Sequence, residues 1–232
     1  MKKIKKILVI AAHPDDEVLG CGGLIAKECD NENKVKVIIL STGKSSRYEE
    51  QTAYIQNEIE GLYKESANAL NILGVDSKDI VFGNFPDQKI DTIPILDIIH
   101  FLKKIIQEYK PDIVYTHHSG DYNNDHKIVF DATLFTCRPY HGEHYPSELY
   151  SFEVLSSTEW AYQKIMPFNP TVYINIKEQI ERKKKAMSAY KSELKDYPHP
   201  RSEKGVENLA MKRGNEISIE YAEAFELIRK IN

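Results

Sequence analysis

Cysteine is scarce in this 232-residue chain: Cys21, Cys29 and Cys137 are the only three, and they form neither a C-x-x-C pair nor an even-numbered framework. That argues against a disulfide scaffold and for thiols kept reduced in a cytoplasmic setting. Positive charge is not in excess either. With 31 Lys and Arg against 35 Asp and Glu, the net charge is −4, so no whole-chain field gathers nucleic acid or anionic lipid. Long apolar runs are missing, and nothing approaches the roughly 18 residues needed to cross a bilayer. The opening MKKIKK-ILVIAA has the charge of a signal peptide, but its apolar stretch is cut short by His13, Asp15, Asp16 and Glu17 and reads better as a buried strand. There is no repeat, no low-complexity tract and no surplus of Gly (11) or Pro (10). What remains is a globular chain, 41% hydrophobic, long enough for one α/β domain with a substantial core.

Short runs rich in Val and Ile, at residues 7–12, 36–41, 80–82 and 112–116, alternate with amphipathic stretches at 24–29, 51–73 and 93–109, and a further one starts near Lys127. Such runs are typical of parallel strands buried on both faces, and the stripe Leu62, Ala69, Leu70 and Leu73 is typical of a crossover helix. The alternation predicts a Rossmann-like, doubly wound, mostly parallel sheet with helices on both faces. Ligands in such sheets lie beyond the carboxyl ends of the strands. Past Val154 the pattern predicts a strand at 171–174 and helices at 178–190 and 218–231. With no linker in sight, residues 1–232 read as a single domain, with residues from about 150 to 232 capping the active site.

Two strand ends carry unusual loops. The first, His13-Pro14-Asp15-Asp16-Glu17, crowds an imidazole and three carboxyl groups together, an arrangement that repels itself unless a cation sits inside it. On a strand-to-helix turn, His13 and Asp16 can converge on one metal ion while Asp15 points at an open coordination position. The second loop, HHSGDYNNDH, offers Asp121, Asp125 and His126, and His126 would complete a His2Asp set. Three protein ligands and an open position describe catalytic zinc, although such sites also accept iron, cobalt or manganese. Zinc lowers the pKa of bound water from about 15.7 to about 7. Asp15 could take the water proton and hand it to a leaving amine, which makes amide or ester hydrolysis the natural reaction class.

Other motifs have plainer readings. Gly20, Gly22 and Gly23 are spaced G-x-G-G behind an acidic cluster, which suits close helix–strand packing better than phosphate binding. His141 and His144 fall in an ordinary loop, the basic run 182–185 suits a solvated helix face, and Cys21 suits packing. His117 and His118 are expected to be half buried around the site.

The block AHPDDEVLGCGG together with the downstream NDH resembles the LmbE-like, PIG-L-type deacetylases. The resemblance continues through THHSGDYNNDH, Arg138-Pro139, SSTEW at 156–160, HPRS at 199–202 and AEAF at 222–225, and so covers most of the chain. It implies a zinc enzyme that removes acetyl from N-acetylglucosamine units of glycolipids, thiol cofactors or related glycosides. By position, His13, Asp16 and His126 match the metal ligands, Asp15 the general base, and Asp125 an aspartate that orients or stabilises an imidazole. One position departs. Many members have a histidine where this chain has Asn123, whose amide can donate a hydrogen bond but cannot carry a proton's charge. Either His199 supplies the acid function or Asp15 performs both proton transfers.

For the substrate, Tyr122, Tyr140 and Trp160 are candidates to stack on a sugar, and Arg47, Asp87, Arg138 and Arg201 to bind hydroxyl or anionic groups. The expected partner is a small N-acetylated sugar or glycoside, with no nucleic acid and no integral membrane segment; a homo-oligomer stays open. Two further readings also remain: a metal-dependent amidase or esterase acting on a non-sugar or thiol-conjugate substrate, and a non-catalytic, metal-stabilised sugar-binding module, which Asn123 alone encourages.

Overall fold

In the computed structural model, which describes residues 4–47, 53–162 and 165–232, the Val- and Ile-rich runs become strands and the amphipathic stretches pack across them. The strands are β1 (Lys6–Ala11), β2 (Lys34–Ser41), β3 (Ile80–Phe85), β4 (Ile113–His117), β5 (Glu148–Phe152), β6 (Val172–Asn175) and β7 (Ala222–Lys230). They form one sheet in the order β3-β2-β1-β4-β5-β7-β6. The first five are parallel, and β7 runs antiparallel to both of its neighbours. Helices α1 (Asp16–Asp30), α2 (Ala53–Leu73), α3 (Ile95–Tyr109), α4 (Asn124–Thr136), α5 (Ile180–Ala189) and α6 (Glu203–Asn215) complete the α/β fold. None among the described residues is long and apolar enough to cross a membrane.

Side-chain alternation along β1 divides the core in two. Ile7, Val9 and Ala11 pack with Leu19 and Leu24 of α1, Leu62 and Leu70 of α2 and Met187 of α5. Leu8 and Ile10 pack with Ile98 and Leu102 of α3 and Val129 of α4 on the other face. Full burial of each such side chain stabilises by about 1.5–3 kcal/mol, which fixes the strand's register against its neighbours.

The strand order reverses at β1, which pairs with β2 on one side and β4 on the other. Chain segments diverge from that point, leaving a crevice beyond the carboxyl ends of β1 and β4. Both unusual loops open into it.

Three expectations need correction or extension. Residues 218–231, whose apolar spacing predicts a helix, instead supply β7: Ala222, Ala224 and Phe225 are buried between β5 and β6, and sheet burial outweighs a weak helical pattern. Helix α1 starts at Asp16 rather than near residue 24. Its glycines lower helix propensity, but they are demanded by packing, since a Cβ on Gly20 would lie 2.3 Å from the Phe152 ring and one on Gly23 2.7 Å from Ile176. Strand β5 and helix α6 were not legible as elements in the sequence.

Candidate active site

His13 lies just past the end of β1, and the chain turns at once: the His13 N–H donates to Asp16 Oδ2 at 2.8 Å, and the Asp16 N–H donates to the His13 carbonyl at 3.3 Å. This closed turn points both side chains into the crevice. Asp15, between them, takes a left-handed backbone conformation (φ 98°), uncommon for a residue with a side chain. Glu17 holds it there. The Asp15 N–H donates to Glu17 Oε2 at 3.2 Å, and the Tyr190 hydroxyl donates to Glu17 Oε1. Burial pushes the Glu17 carboxyl up to about 8 against the Tyr190 hydrogen bond.

The second loop leaves β4 and enters α4. Asn123 caps that helix, its Oδ1 accepting the Asp125 N–H at 2.9 Å, so His126 sits in the first turn and projects back toward His13. His13 Nδ1 is 3.1 Å from Asp16 Oδ2 and 3.2 Å from His126 Nε2, and that nitrogen is 3.2 Å from Asp16 Oδ2. All three residues are buried.

These residues fit a small divalent cation. The three donor atoms lie 3.1–3.2 Å from one another, close enough for one cation to accept a lone pair from each. A tetrahedral edge is about 1.63 times the bond length, so zinc bonds of about 2.0–2.1 Å imply edges of about 3.3–3.4 Å, close to the triangle seen here. A second grouping among the described residues, His13, Asp87 and Asp125, shares the same ring. Its donors are already committed: Asp125 accepts the Ile90 N–H at 3.2 Å through Oδ1 and sits 3.1 Å from His13 Nε2 through Oδ2, while the Ser46 hydroxyl donates to Asp87. Asp125 and Asp87 therefore orient His13, leaving its Nδ1 for the first grouping.

Behind His126, Asp121 Oδ1 lies 3.2 Å from Nδ1, within ion-pair distance though not aligned as a hydrogen bond. Asp121 is itself held by the Ser157 hydroxyl, by the Thr158 hydroxyl at 2.6 Å and by the Asn123 N–H at 2.8 Å. His117 stacks on His126 with centroids 3.9 Å apart, its Nε2 accepting the Ala12 N–H at 2.8 Å. Burial drives its pKa well below the usual value, which keeps the ring neutral.

Adjacent carboxylates have opposite electrostatics. Burial raises Asp15 to about 7, against the pull of the Arg201 guanidinium, whose Nη1 donates to Asp15 Oδ2 at 3.1 Å. Asp16 is buried as deeply, yet the His126 ring 3.2 Å away and the hydrogen bond with His13 outweigh the desolvation and hold it well below the carboxylate range. Burial opposes protonation of His13, but its hydrogen bonds to Asp125 and Asp16 lift it to about 10.

The triangle opens into a polar cavity of about 450 Å³. Of the residues singled out in the sequence, His13, Asp15, His126, Asp87, Tyr122, Asn123 and Arg201 line it. Asp16 and Asp125 are buried just behind. Others lie elsewhere. His199 is exposed, and its Nδ1 accepts the Arg201 N–H at 3.1 Å, so the HPRS segment reaches the cavity through Arg201. Arg138 lies past the far end of α4, about 20 Å from Asn124 along the axis, over the ring of Tyr140. Trp160 is exposed and outside the cavity lining. Arg47 ends a short 3-10 turn, and its side chain lies outside the described residues. Cavity residues that sequence reasoning missed are Ser46, Gln88, Ser156, Ser157 and Glu193, and it did not assign Asp121 to His126. Asp121 carried a signal, five positions before His126 in the same loop, and Ser156 and Ser157 carried one in the SSTEW block.

The sequence matches the family described as PIG-L, GlcNAc-PI de-N-acetylase, over residues 8–136. It is 31% identical over 182 residues to the uncharacterized deacetylase YaiS of Escherichia coli K12, covering 76% of this chain and 85% of that one. To the probable N-acetyl-alpha-D-glucosaminyl L-malate deacetylase 2 of Bacillus anthracis it is 24% identical, covering 84% of each chain. The N,N'-diacetylchitobiose deacetylase of Pyrococcus horikoshii shares the fold, with a TM-score of 0.76 at 22% identity over 97% of this chain and 84% of that one. On the family match and the Escherichia coli relative, the chain belongs to the PIG-L family and is a deacetylase.

Proposed function

We propose that the chain is a zinc-dependent hydrolase that removes the acetyl group from the nitrogen of an amino sugar or its glycoside, of the N-acetylglucosamine type. The observation that carries this reading is the triangle of His13 Nδ1, Asp16 Oδ2 and His126 Nε2 with Asp15 beside it, at the floor of a cavity rich in hydrogen-bonding groups. The sugar class draws on the relatives, one of which is a probable N-acetylglucosaminyl malate deacetylase.

His13, Asp16 and His126 would hold the ion, which when bound supplies Lewis acidity to water and to the acyl carbonyl. Asp15 is the general base. Its carboxylate takes a proton as the water oxygen bonds to the acetyl carbon, then returns that proton to the nitrogen as the C–N bond breaks and its electron pair stays on nitrogen. The products are acetate and a free amine. Asp125 and Asp121 keep the two imidazoles oriented, and Glu17 keeps the Asp15 backbone in its left-handed turn. Asn123 spends its Oδ1 on the helix cap, leaving its NH2 as a donor toward the cavity. Arg201, 3.1 Å from Asp15, supplies a positive charge that Asn123 lacks. Asp87 and Tyr122 are the nearest candidates for sugar hydroxyls and the sugar face.

The test is acetate release from N-acetylglucosamine and a panel of its glycosides by zinc-loaded protein, with non-sugar acyl amides alongside. Turnover confined to the sugars, abolished by chelation and restored by zinc, is the expected result. Metal-loaded protein that binds the sugars and never releases acetate would overturn the assignment.

A further inference from the structure

Strained backbone gathers at the catalytic cavity. Among the described residues, seven other than glycine adopt a positive φ, and three of them, Asp15 (98°), Gln88 (53°) and Ser156 (66°), line this one cavity. A side chain in the left-handed region costs free energy that glycine avoids, and such residues cluster where a site requires them. Two of the three have a use in view. Asp15 stands beside the donor triangle, paired with Arg201, and the Ser156 hydroxyl accepts the Arg201 Nε–H at 2.7 Å. Gln88, in the loop that follows β3, takes part in neither arrangement.

Its side chain reaches the edge of His13 that is turned away from the triangle. Gln88 Nε2 lies 3.3 Å from His13 Nε2, the nitrogen that also faces Asp125 Oδ2 at 3.1 Å and Asp87 Oδ1 at 3.4 Å. With Nδ1 given to an ion, Nε2 carries the ring's proton and cannot accept from Gln88. A half-turn of the carboxamide brings Oε1 to that place as an acceptor and frees the NH2. Gln88 is exposed at the cavity wall and makes no other side-chain hydrogen bond among the described residues. Its neighbour Asp87 is the opposite case, buried and able only to accept, with the Ser46 hydroxyl donating to it.

We propose that Gln88 is a specificity-determining residue, whose NH2 donates to a hydroxyl oxygen of the sugar while Asp87 accepts a hydrogen bond from the same hydroxyl. The proposal rests on the sugar deacetylase reading above. A hydroxyl both donates and accepts, so a carboxylate and an amide on adjacent residues suit it, whereas a methylene in its place leaves both unpaired. Gln88 is on the side of His13 away from the triangle, so the contact falls on the sugar and not on the acyl carbon. Such a contact is equally strong before and at the transition state, and its loss therefore shows in KM more than in kcat.

The experiment uses the methyl glycoside of N-acetylglucosamine and its 3-, 4- and 6-deoxy analogues, with two separate readouts. One is acetate release by zinc-loaded protein. The other is calorimetric binding in an Asp15→Asn background, where the sugar survives the measurement. Gln88→Ala should keep its zinc and raise KM and Kd for the parent glycoside by about threefold to tenfold. One deoxy analogue should bind the unsubstituted chain more weakly by a similar factor and be indifferent to Gln88→Ala, the non-additivity of a shared contact. Gln88→Gly should lose the same affinity while melting above Gln88→Ala, because it relieves the left-handed backbone. Unchanged affinity in both variants, or an equal loss for the parent and every analogue, overturns the proposal. So does loss of zinc, because Gln88 would then act only by holding His13. If the deoxy pattern holds in the binding series yet no glycoside releases acetate, the deacetylase reading fails and the assignment of Gln88 stands.

Discussion

His13, Asp16 and His126 hang on loops leaving two adjacent strands, whereas Ser156, Glu193 and Arg201, in the same cavity, arrive from a C-terminal third that contributes the two strands β6 and β7 and two helices. The first set is buried, and its donor atoms lie 3.1 to 3.2 Å apart because β1 and β4 are in fixed register. The second is looser. Arg201 keeps 28% of its side chain exposed and divides its guanidinium between Asp15 at 3.1 Å and Glu193 at 3.7 Å. The donor triangle is placed on loops of the sheet's central strands, and the more exposed cavity residues are placed on segments whose lengths can vary without disturbing it.

The sharpest way to break this contrast is to remove a donor. Asp16→Ala and His126→Ala should each abolish stoichiometric metal binding, measured by elemental analysis, and lower turnover by at least about a thousandfold. Next comes the base: Asp15→Asn should keep metal content and KM close to normal while kcat falls by about 10² to 10⁴. A variant with full kcat would remove Asp15 from its role. One layer out, Asp121→Ala should weaken metal affinity by about 10- to 100-fold in competition with a chelator, without unfolding the chain.

Across the cavity, Arg201→Gln should leave metal content unchanged and lower kcat/KM by about 10- to 100-fold, the scale of one charged hydrogen bond. Equal loss of metal in this variant would erase the distinction between the two sets. Smallest is a stability effect at the C-terminal strand. Burial would raise the Glu226 pKa, but its hydrogen bonds with His118 and the Asn169 N–H hold it below the usual value. His118, despite burial, is shifted up by the same pairing. A depressed carboxylate stabilises above its unfolded pKa and loses that contribution as pH falls through the folded one; a raised imidazole stabilises below its unfolded pKa and loses it as pH rises. Glu226→Gln should therefore lower Tm by a few degrees near neutral pH, and the gap should close in acid.

How much of this was legible in the sequence follows the same division. The β1 and β4 loops announce themselves because charged residues directly after apolar runs have few structural explanations, and short parallel strands are legible from their Val and Ile content. In β7, Ala222 to Phe225 with Leu227 and Ile228 also suits a helix, and only pairing with β5 and β6 decides the matter. The HPRS segment drew attention to His199, the more reactive residue type. The turn in which His199 Nδ1 accepts the Arg201 N–H carries the guanidinium into the cavity instead, a consequence of local backbone geometry that composition does not encode. Arg138 was misplaced for a similar reason, since an α-helix of 13 residues separates it from the loop that begins at the site.

Anomalous diffraction at the zinc edge, on crystals of the zinc-loaded protein, tests the central claim most directly. The account predicts one strong peak within about 2.0–2.2 Å of His13 Nδ1, Asp16 Oδ and His126 Nε2, with Asp15 near the ion but unbound. A peak instead between His13 Nε2, Asp87 and Asp125, or none at this corner, would contradict it.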